Sequence, residues 1–391
     1  MNCLLVGVVL ASLVSLCSLA QTHSGFPVDI VAGPPPQPVM ADGRAWLLYE
    51  LHLTNFAPLP IELTGIDVLG DGASALASYR GQALDKVVIP VEKLSLAEEP
   101  PGTARNAQAI GEGHSVVIFV DLTLDPGARP PAQLRHRFSF SVAPKSGGII
   151  ERTVDGPVVA VVQEPAPVLA APLRGSSWVA FNALSSVDHR RSMNAVDGRV
   201  RIPQRFAIDW MHLGPDRRLF HGDTKSNANF YDYGAEVLAV ADGQVSDLKD
   251  GLPENLGSSE RSSRVITLEN VVGNYLILDL GHRRFALYAH LQPGSLKVKI
   301  GDKVNVGQVL ARLGNSGNSD EPHLHFQLMD ANSPMGGEGI PYEFEFFTQL
   351  GVVDDQAAAL DAGQPWQRKT QATPVVHRRE FPFDKAVVTF P

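Results

Sequence analysis

Cysteine is almost absent from this chain, which has two cysteines among its 391 residues. Both of them, Cys3 and Cys17, lie within the first 20 residues. If that segment is removed from the mature protein, no cysteine remains for a disulfide bond, a thiolate nucleophile or a cysteine-ligated zinc site. The chemistry of the remaining chain must then rest on histidine, aspartate, glutamate and serine.

The chain also lacks a run of basic residues. Its 33 lysines and arginines are outnumbered by 42 aspartates and glutamates, which gives a formal charge of 33 − 42 = −9 at pH 7 with neutral histidine. Nucleic acids and anionic membranes bind basic surfaces. The composition therefore argues against either of them as the main partner.

Residues 1–20 form an uncharged apolar stretch that ends in Ser18-Leu-Ala20. Small residues at positions −3 and −1 are typical of signal-peptidase cleavage, here before Gln21. The stretch is also about long enough to span a bilayer as an anchor, but its small-residue end favours removal, and Leu16 before Cys17 argues against a lipoprotein. We predict a signal peptide over residues 1–20 and a secreted or periplasmic protein of the cell envelope, with no membrane span after cleavage.

The 35 glycines and 29 prolines favour short strands and turns over long helices. Between residues 21 and 165, several apolar runs alternate with period two. In one of them the alternation places Leu47, Tyr49, Leu51 and Leu53 on one face. Proline and glycine clusters separate the runs. This pattern predicts an accessory β-sandwich of immunoglobulin-like type over residues 21–165, for which we expect a docking or spacer role.

A proline-rich stretch over residues 166–178 predicts a stiff linker. Beyond it, alternating runs at residues 274–280 and 285–291 predict a second all-β domain over residues 179–350. Residues 351–391 form a C-terminal extension that ends in a short apolar strand candidate. The sequence leaves open whether this extension packs on one of the two domains or is loose.

His323 and His325 flank Leu324 inside a strand-like apolar run. Side chains at positions i and i+2 of a strand point to the same face, so we expect both imidazoles to face the same way. At this spacing two histidines can bind one metal ion or divide metal binding from proton transfer. The alternative is a solvated pair on an exposed strand. Asp209 also lies in an apolar run, where a carboxylate is costly unless it is paired, hydrogen-bonded or bound to metal.

Four segments together resemble the M23 family of lysostaphin- and LytM-like metallopeptidases, over about residues 180–350. They are Gly234–Val245, Leu287–Leu291, Gly301–Gly307 and Gly314–Phe326. The resemblance implies a twisted antiparallel sheet whose groove holds one Zn²⁺, and cleavage of peptide bonds in bacterial cell walls. It further implies that Asp209 and His325 are zinc ligands and that His290 and His323 are catalytic.

The chain departs from the family pattern at one ligand position. The family motif is His-x-Gly-x-Asp, whereas this chain has Arg205-Phe-Ala207-Ile-Asp209. Catalytic zinc usually has three protein ligands, so the third ligand must come from elsewhere. We prefer His221, in the polar segment after Asp209, and His189 is the rival. Arg205 is expected either near the metal as a fixed positive charge or in an ion pair with Asp209.

Two functions follow from these residues. We predict a secreted zinc-dependent endopeptidase that cleaves peptide bonds in bacterial peptidoglycan. The alternative is a catalytically degenerate LytM-like module that binds the cell wall or activates a separate cell-wall amidase. The joint presence of His290, His323 and His325 favours the enzyme, because a binding groove has no need for three convergent imidazoles.

Overall fold

The computed structural model describes residues 25–72, 74–91, 108–145, 147–257, 265–353, 357–367 and 373–391. The predicted signal peptide lies outside the described residues. Strands dominate these ranges, in which the α-helices are two short ones, α1 (Gln82–Asp85) and α2 (Ala357–Asp361). The prediction of an all-β protein is therefore confirmed. Within the described ranges, no helix has the length and apolar character needed to cross a membrane.

The N-terminal region folds into two antiparallel sheets. Its strands are β1 (Val28–Ala32), β2 (Val39–Ala41), β3 (Arg44–Asn55), β4 (Ile61–Leu69), β5 (Ala75–Tyr79), β6 (Val88–Pro90), β7 (Ala109–Ile110), β8 (Ser115–Thr123), β9 (Gln133–Val142), β10 (Ile150–Asp155) and β11 (Val159–Ala160). One sheet has the order β1-β3-β8-β6 with β2 beside β3. The other has the order β10-β9-β4-β5, with β7 beside β4 and β11 beside β9.

Apolar side chains from both sheets form one core, so the N-terminal region is a sandwich. Leu47, Tyr49, Leu51 and Leu53 of β3 all point into this core, and the predicted alternation of the strand is confirmed. On the second sheet Phe138 of β9 is fully buried in the same core. The immunoglobulin-like type of the sandwich stays a prediction.

The remaining strands build one large sheet and two small ones. They are β12 (Val168–Leu169), β13 (Gly175–Phe181), β14 (Asn194–Val196), β15 (Arg199–Arg201), β16 (Ile208–His212), β17 (Glu236–Leu238), β18 (Gly243–Lys249), β19 (Tyr275–Asp279), β20 (Phe285–Ala289), β21 (Lys303–Val304), β22 (Val309–Arg312), β23 (Leu324–Met329), β24 (Glu343–Val352), β25 (Val375–Glu380) and β26 (Ala386–Phe390). The large sheet has the order β12-β24-β26-β13-β16-β23-β20-β19-β18-β21, with β25 beside β24. The small sheets are the pairs β14–β15 and β17–β22.

In this region the local sequence pattern predicts where the strands lie along the chain better than it predicts which strands pair. As the alternation predicts, β19 and β20 are neighbours and run antiparallel. The strands on either side of the Asp242-Gly243 turn, β17 and β18, do not form a hairpin. Strand β17 pairs with β22, and β18 pairs with β19 and β21. A local turn signal therefore places the two strands but does not decide their partners.

Two segments predicted to lie outside the second domain join its sheet. Within the predicted linker, Val168–Leu169 pairs in parallel with β24, and β13 already begins at Gly175. This stretch is therefore not a free spacer. The C-terminal extension supplies β25 and β26, and β26 lies between β24 and β13 inside the sheet. Backbone hydrogen bonds to distant strands fix both segments, and composition alone carries no signal for such pairing.

The sandwich packs directly on the large sheet, because β3 is buried on both faces. Leu47 points into the sandwich core, whereas Leu48 joins the core of the large sheet. Phe119 of β8 packs on Ile202 from the second region. Glu50, on the same outer face of β3 as Leu48, is only 1% exposed. A carboxylate at this depth must be compensated by partners in the interface.

Candidate metal centre

The register of three neighbouring strands of the large sheet collects the candidate site residues. Strands β16 and β23 pair so that Asp209 lies directly opposite His325. Strand β20 lies on the other side of β23 with Ala289 opposite His325, and His290 follows at its end. His323 directly precedes β23. The predicted common direction of His323 and His325 is observed, since both side chains line one cavity.

The carboxylate of Asp209 is the centre of the cluster. Its Oδ1 lies 2.8 Å from Nδ1 of His325 and 3.5 Å from Nε2 of His323. Its Oδ2 lies 3.1 Å from Nε2 of His189 and accepts a hydrogen bond of 2.9 Å from Nδ2 of Asn182. The ligand atoms of His189, Asp209 and His325 all lie within 4.8 Å of one another. Two imidazoles and one carboxylate facing a cavity fit the donor set of a catalytic zinc site with one open position.

The electrostatics of the cluster favour an ionised carboxylate. Burial alone would raise the pKa of Asp209, but the rings of His189 and His323 and the hydrogen bonds from His189 and His325 hold this pKa well below its usual range. Burial would likewise lower the pKa of His189, but the Asp209 carboxylate raises it above its usual value. A carboxylate must be deprotonated to bind metal, and Asp209 meets this condition at neutral pH.

Gln327 orients His325 from behind. Its Oε1 lies 2.9 Å from Nε2 of His325 and can accept a hydrogen bond from that nitrogen. The other ring nitrogen, Nδ1, faces Asp209. Metal-binding histidines typically donate their second N–H to such an acceptor, which fixes ring orientation and tautomer. We did not predict Gln327 from the sequence, although it lies two residues after His325 and shares its face of the strand.

The structure brings His189, the rival candidate, to the cluster, and does not bring His221 there. His189 opens a short 3₁₀ turn, His189–Arg191, and is 9% exposed. His221 is exposed, its ring packs on Tyr231 with 5.2 Å between centroids, and it does not line the cavity. We preferred His221 because its loop could fold back over the groove, but the residue beside Asp209 is His189, which lies 20 positions before Asp209 in the sequence.

Among the described residues Arg205 forms no ion pair with Asp209, so that expectation is wrong. Residues 203–206 form a turn, and β16 begins only at Ile208. Strand alternation therefore does not extend back from Asp209 to Arg205. The Arg205 guanidinium instead binds Glu50 and Glu338, with shortest distances of 2.6 and 2.9 Å.

His290 and His323 are the two imidazoles beside the cluster. Nδ1 of His290 donates to the carbonyl of Ser316 over 2.7 Å, and Nδ1 of His323 donates to the carbonyl of Glu321 over 2.9 Å. The ring centroids are 4.7 Å apart. Burial and the neighbouring rings of His323 and His325 hold the pKa of His290 well below its usual value, and burial also lowers that of His323 against the opposing effect of Asp209. Both rings are thus uncharged at neutral pH, and Nε2 is the nitrogen at which each can accept a proton.

The cavity at the cluster has a volume of about 640 Å³, and its far wall is acidic. Asp320, Glu321 and Asp361 lie in this wall. Burial and the nearby Asp361 and Asp320 carboxylates raise the pKa of Glu321 to about 7. Asp361 belongs to α2, so the predicted C-terminal extension contributes to the site. Neither Glu321 nor Asp361 carried a sequence signal for this position.

Residues 228–336 match the sequence model of Peptidase family M23. The chain thus resembles this family over 109 of its 391 residues. The matched range includes His290, His323 and His325, whereas His189 and Asp209 precede it. The fold brings these two earlier residues into the cavity that the three histidines line.

Curated relatives match the chain over short stretches. Endolysin 2638A of Staphylococcus phage 2638A is 42% identical over 62 residues, which cover 15% of this chain and 13% of the relative. Glycyl-glycine endopeptidase ALE-1 of Staphylococcus capitis is 34% identical over 100 residues, with coverages of 26% and 23%. Peptidoglycan DD-endopeptidase ShyA of Vibrio cholerae serotype O1 is 36% identical over 63 residues, with coverages of 16% and 14%. The chain thus spans less than a quarter of the length of each relative.

Proposed function

We propose that this protein is a zinc-dependent endopeptidase that cleaves peptide bonds in bacterial peptidoglycan. In this proposal His189, Asp209 and His325 hold one zinc ion, and His290 and His323 transfer protons. The match to Peptidase family M23 supports the peptidase class. The names of two relatives, a glycyl-glycine endopeptidase and a peptidoglycan DD-endopeptidase, support the substrate.

One observation carries the proposal: an ionised carboxylate lies between two imidazoles at the floor of an open cavity. A buried carboxylate that served only stability would need a matched cation and no access to solvent. Here three rings surround a single carboxylate, and a cavity of about 640 Å³ leads to it. The surplus of nitrogen ligands and the room for a substrate are what a metal-dependent hydrolase requires.

The side chains of the cavity have separate roles in this mechanism. A bound zinc ion supplies Lewis acidity, which polarises a peptide carbonyl and makes water more acidic. His290, held by the Ser316 carbonyl, presents Nε2 to accept a proton from the attacking water. His323, held by the Glu321 carbonyl, presents Nε2 to the same cavity, where a proton accepted by that nitrogen can pass on to the leaving amine. Asn182 donates to Asp209 and keeps the carboxylate in position.

Location in the cell envelope belongs to the same proposal, because peptidoglycan lies outside the cytoplasmic membrane. The degenerate-module alternative, including activation of an amidase, arose from the missing third ligand. His189 lies beside Asp209 and is a candidate for that ligand, and Arg205 is bound to Glu50 and Glu338. Both observations favour the enzyme over the degenerate module. The two hypotheses still differ in a measurable quantity, the metal content of the mature protein.

Metal content and hydrolysis test the proposal together. Zinc per chain is measured for the wild type and for His189→Ala and His325→Ala, with His221→Ala as the matched control. We expect one zinc ion in the wild type and in the control, and loss of zinc in the other two. Release of fragments from purified peptidoglycan should follow zinc content, stop with a chelator and return when zinc is added.

Two results would contradict the proposal or its ligand assignment. A metal-free wild type that binds peptidoglycan without cleaving it would support the binding module. Retention of zinc in His189→Ala with loss in His221→Ala would restore His221 as the third ligand.

A further inference from the structure

The residue that follows His189 is anchored in the N-terminal sandwich. The Arg190 guanidinium is buried and binds the carboxylates of Glu50 and Asp121, the latter over 3.0 Å. It also donates to two backbone carbonyls, one in β3 and one in β8, over 3.1 and 3.2 Å. Every one of these partners belongs to the sandwich, about 70 to 140 residues earlier in the chain.

The turn that carries His189 has little local support. It spans three residues, and no side chain caps its N-terminus. Short 3₁₀ turns of this kind are weak elements that depend on tertiary contacts. The position of the His189 ring relative to Asp209 therefore depends on where Arg190 is held.

Glu50 holds the second ligand segment as well. Its carboxylate accepts from Nε of Arg205 over 3.0 Å and from a terminal nitrogen of Arg205 over 2.6 Å. Arg205 lies in the turn that leads into β16, the strand of Asp209. Glu338 completes the group with a contact of 2.9 Å to Arg205. We call Glu50, Arg190, Arg205 and Glu338 the ionic cluster.

We infer that Glu50 is a positioning residue for the metal centre, and that the sandwich is a structural part of that centre rather than a detachable docking module. One carboxylate from β3 fixes the two segments that bring His189 and Asp209 together. This inference rests on the proposed function, because it assigns the ionic cluster the task of setting the distance between two metal ligands. Outer partners of metal ligands commonly change metal affinity by about 10- to 100-fold when they are removed.

Metal affinity of the full-length mature protein tests the inference. Glu50→Gln keeps the shape of the side chain but removes its charge, and Asp121→Asn weakens the hold on Arg190 at a position that is 37% exposed. Asp67→Asn is the matched control, because it removes a carboxylate–arginine pair from the other sheet of the same sandwich, without touching a partner of Arg190. Zinc affinity is measured by competition with a chromophoric chelator, and cobalt substitution reports ligand geometry through the visible spectrum.

We expect Glu50→Gln to bind zinc about 10- to 100-fold more weakly than the wild type and to change the cobalt spectrum. Asp121→Asn should show smaller changes in the same direction. Asp67→Asn should match the wild type in both measurements. Thermal unfolding of each apoprotein separates folding from metal binding.

A folded Glu50→Gln with wild-type affinity and spectrum would overturn the inference. If Glu50→Gln does not fold, Asp121→Asn decides, and wild-type affinity and spectrum there overturn it. If the wild type binds no zinc, both the proposed function and this inference are wrong. If the wild type binds zinc and the variants bind it equally well, only this inference is wrong.

Discussion

The ionic cluster and the group of His189, Asp209 and His325 are neighbours, yet they differ in how their charges are matched. In the ionic cluster two carboxylates face two guanidiniums, and Glu50 and Arg205 share several hydrogen bonds in a closed interface. In the metal centre a single carboxylate faces three imidazoles next to an open cavity. His189 and Arg190, adjacent in sequence, supply one member to each group. The difference teaches that matched buried charges hold two parts of a fold together, whereas an excess of ligand atoms beside a cavity indicates a site for a metal ion.

The largest effect should come from removing the central carboxylate of the metal centre. Asp209→Asn keeps the hydrogen-bonding shape but loses the charge that attracts a cation. We expect the zinc content to fall to background and peptidoglycan hydrolysis to fall by at least about 10³-fold, since a bound metal supplies several kcal/mol of transition-state stabilisation. Elemental analysis and fragment release measure the two effects. A variant with full zinc content would contradict the assignment of Asp209.

Removing a proton-transfer group should separate chemistry from metal binding. His290→Ala should keep one zinc ion but lower the hydrolysis rate by about 10²- to 10⁴-fold, the range for loss of a general acid or base. Zinc content and the hydrolysis rate are measured on the same preparation. His282→Ala provides a control in an exposed turn, and loss of zinc from His290→Ala would instead make His290 a ligand.

Removing Glu50 from the ionic cluster should lower the free energy of unfolding. Glu50→Ala leaves the Arg190 and Arg205 guanidiniums buried with fewer partners, and breaking a buried ion pair from one side costs about 3–5 kcal/mol. The free energy of unfolding in urea should fall by this amount. Asp67→Asn, which removes a partly exposed partner of Arg80, should cost under about 1 kcal/mol. Equal losses in the two variants would contradict the comparison.

Acid should weaken the same cluster in a defined range of pH. Burial, which raises the pKa of Glu50, is outweighed by Arg205 and Arg190, so the folded-state pKa is about 2 instead of 4.5. Because the folded value is the lower one, ionised Glu50 stabilises the fold above about pH 4.5, and this contribution is lost as the pH falls towards 2. Between pH 6 and pH 3 we expect the wild type to lose about 2 kcal/mol more unfolding free energy than Glu50→Gln. Parallel pH profiles of the two proteins would contradict this expectation.

The sequence predicted those features that depend on local alternation. The buried face of β3, the pairing of β19 with β20 and the common direction of His323 and His325 all follow from period two. The third candidate ligand could not be predicted in this way. His189 and His221 are both loop histidines, and which of them lies beside Asp209 depends on contacts that are distant in sequence, such as those of Arg190 with the sandwich. The parallel pairing of residues 168–169 with β24 and the place of β26 inside the large sheet could not be predicted for the same reason, since these strands pair with partners far away in sequence.

The backbone of His290 has a φ of +60°, in the left-handed region that glycine adopts more readily than residues with a Cβ atom. His290→Gly would remove the imidazole and release the strain of a Cβ atom in this region at the same time, whereas alanine would retain it. The variant should therefore fold well and leave a ring-shaped space in which the Ser316 carbonyl has lost its donor. Imidazole added to the buffer fits this space and this carbonyl. The backbone geometry at His290 thus makes the proposed hydrolysis a candidate for control by a small molecule, in which the added ring switches hydrolysis on.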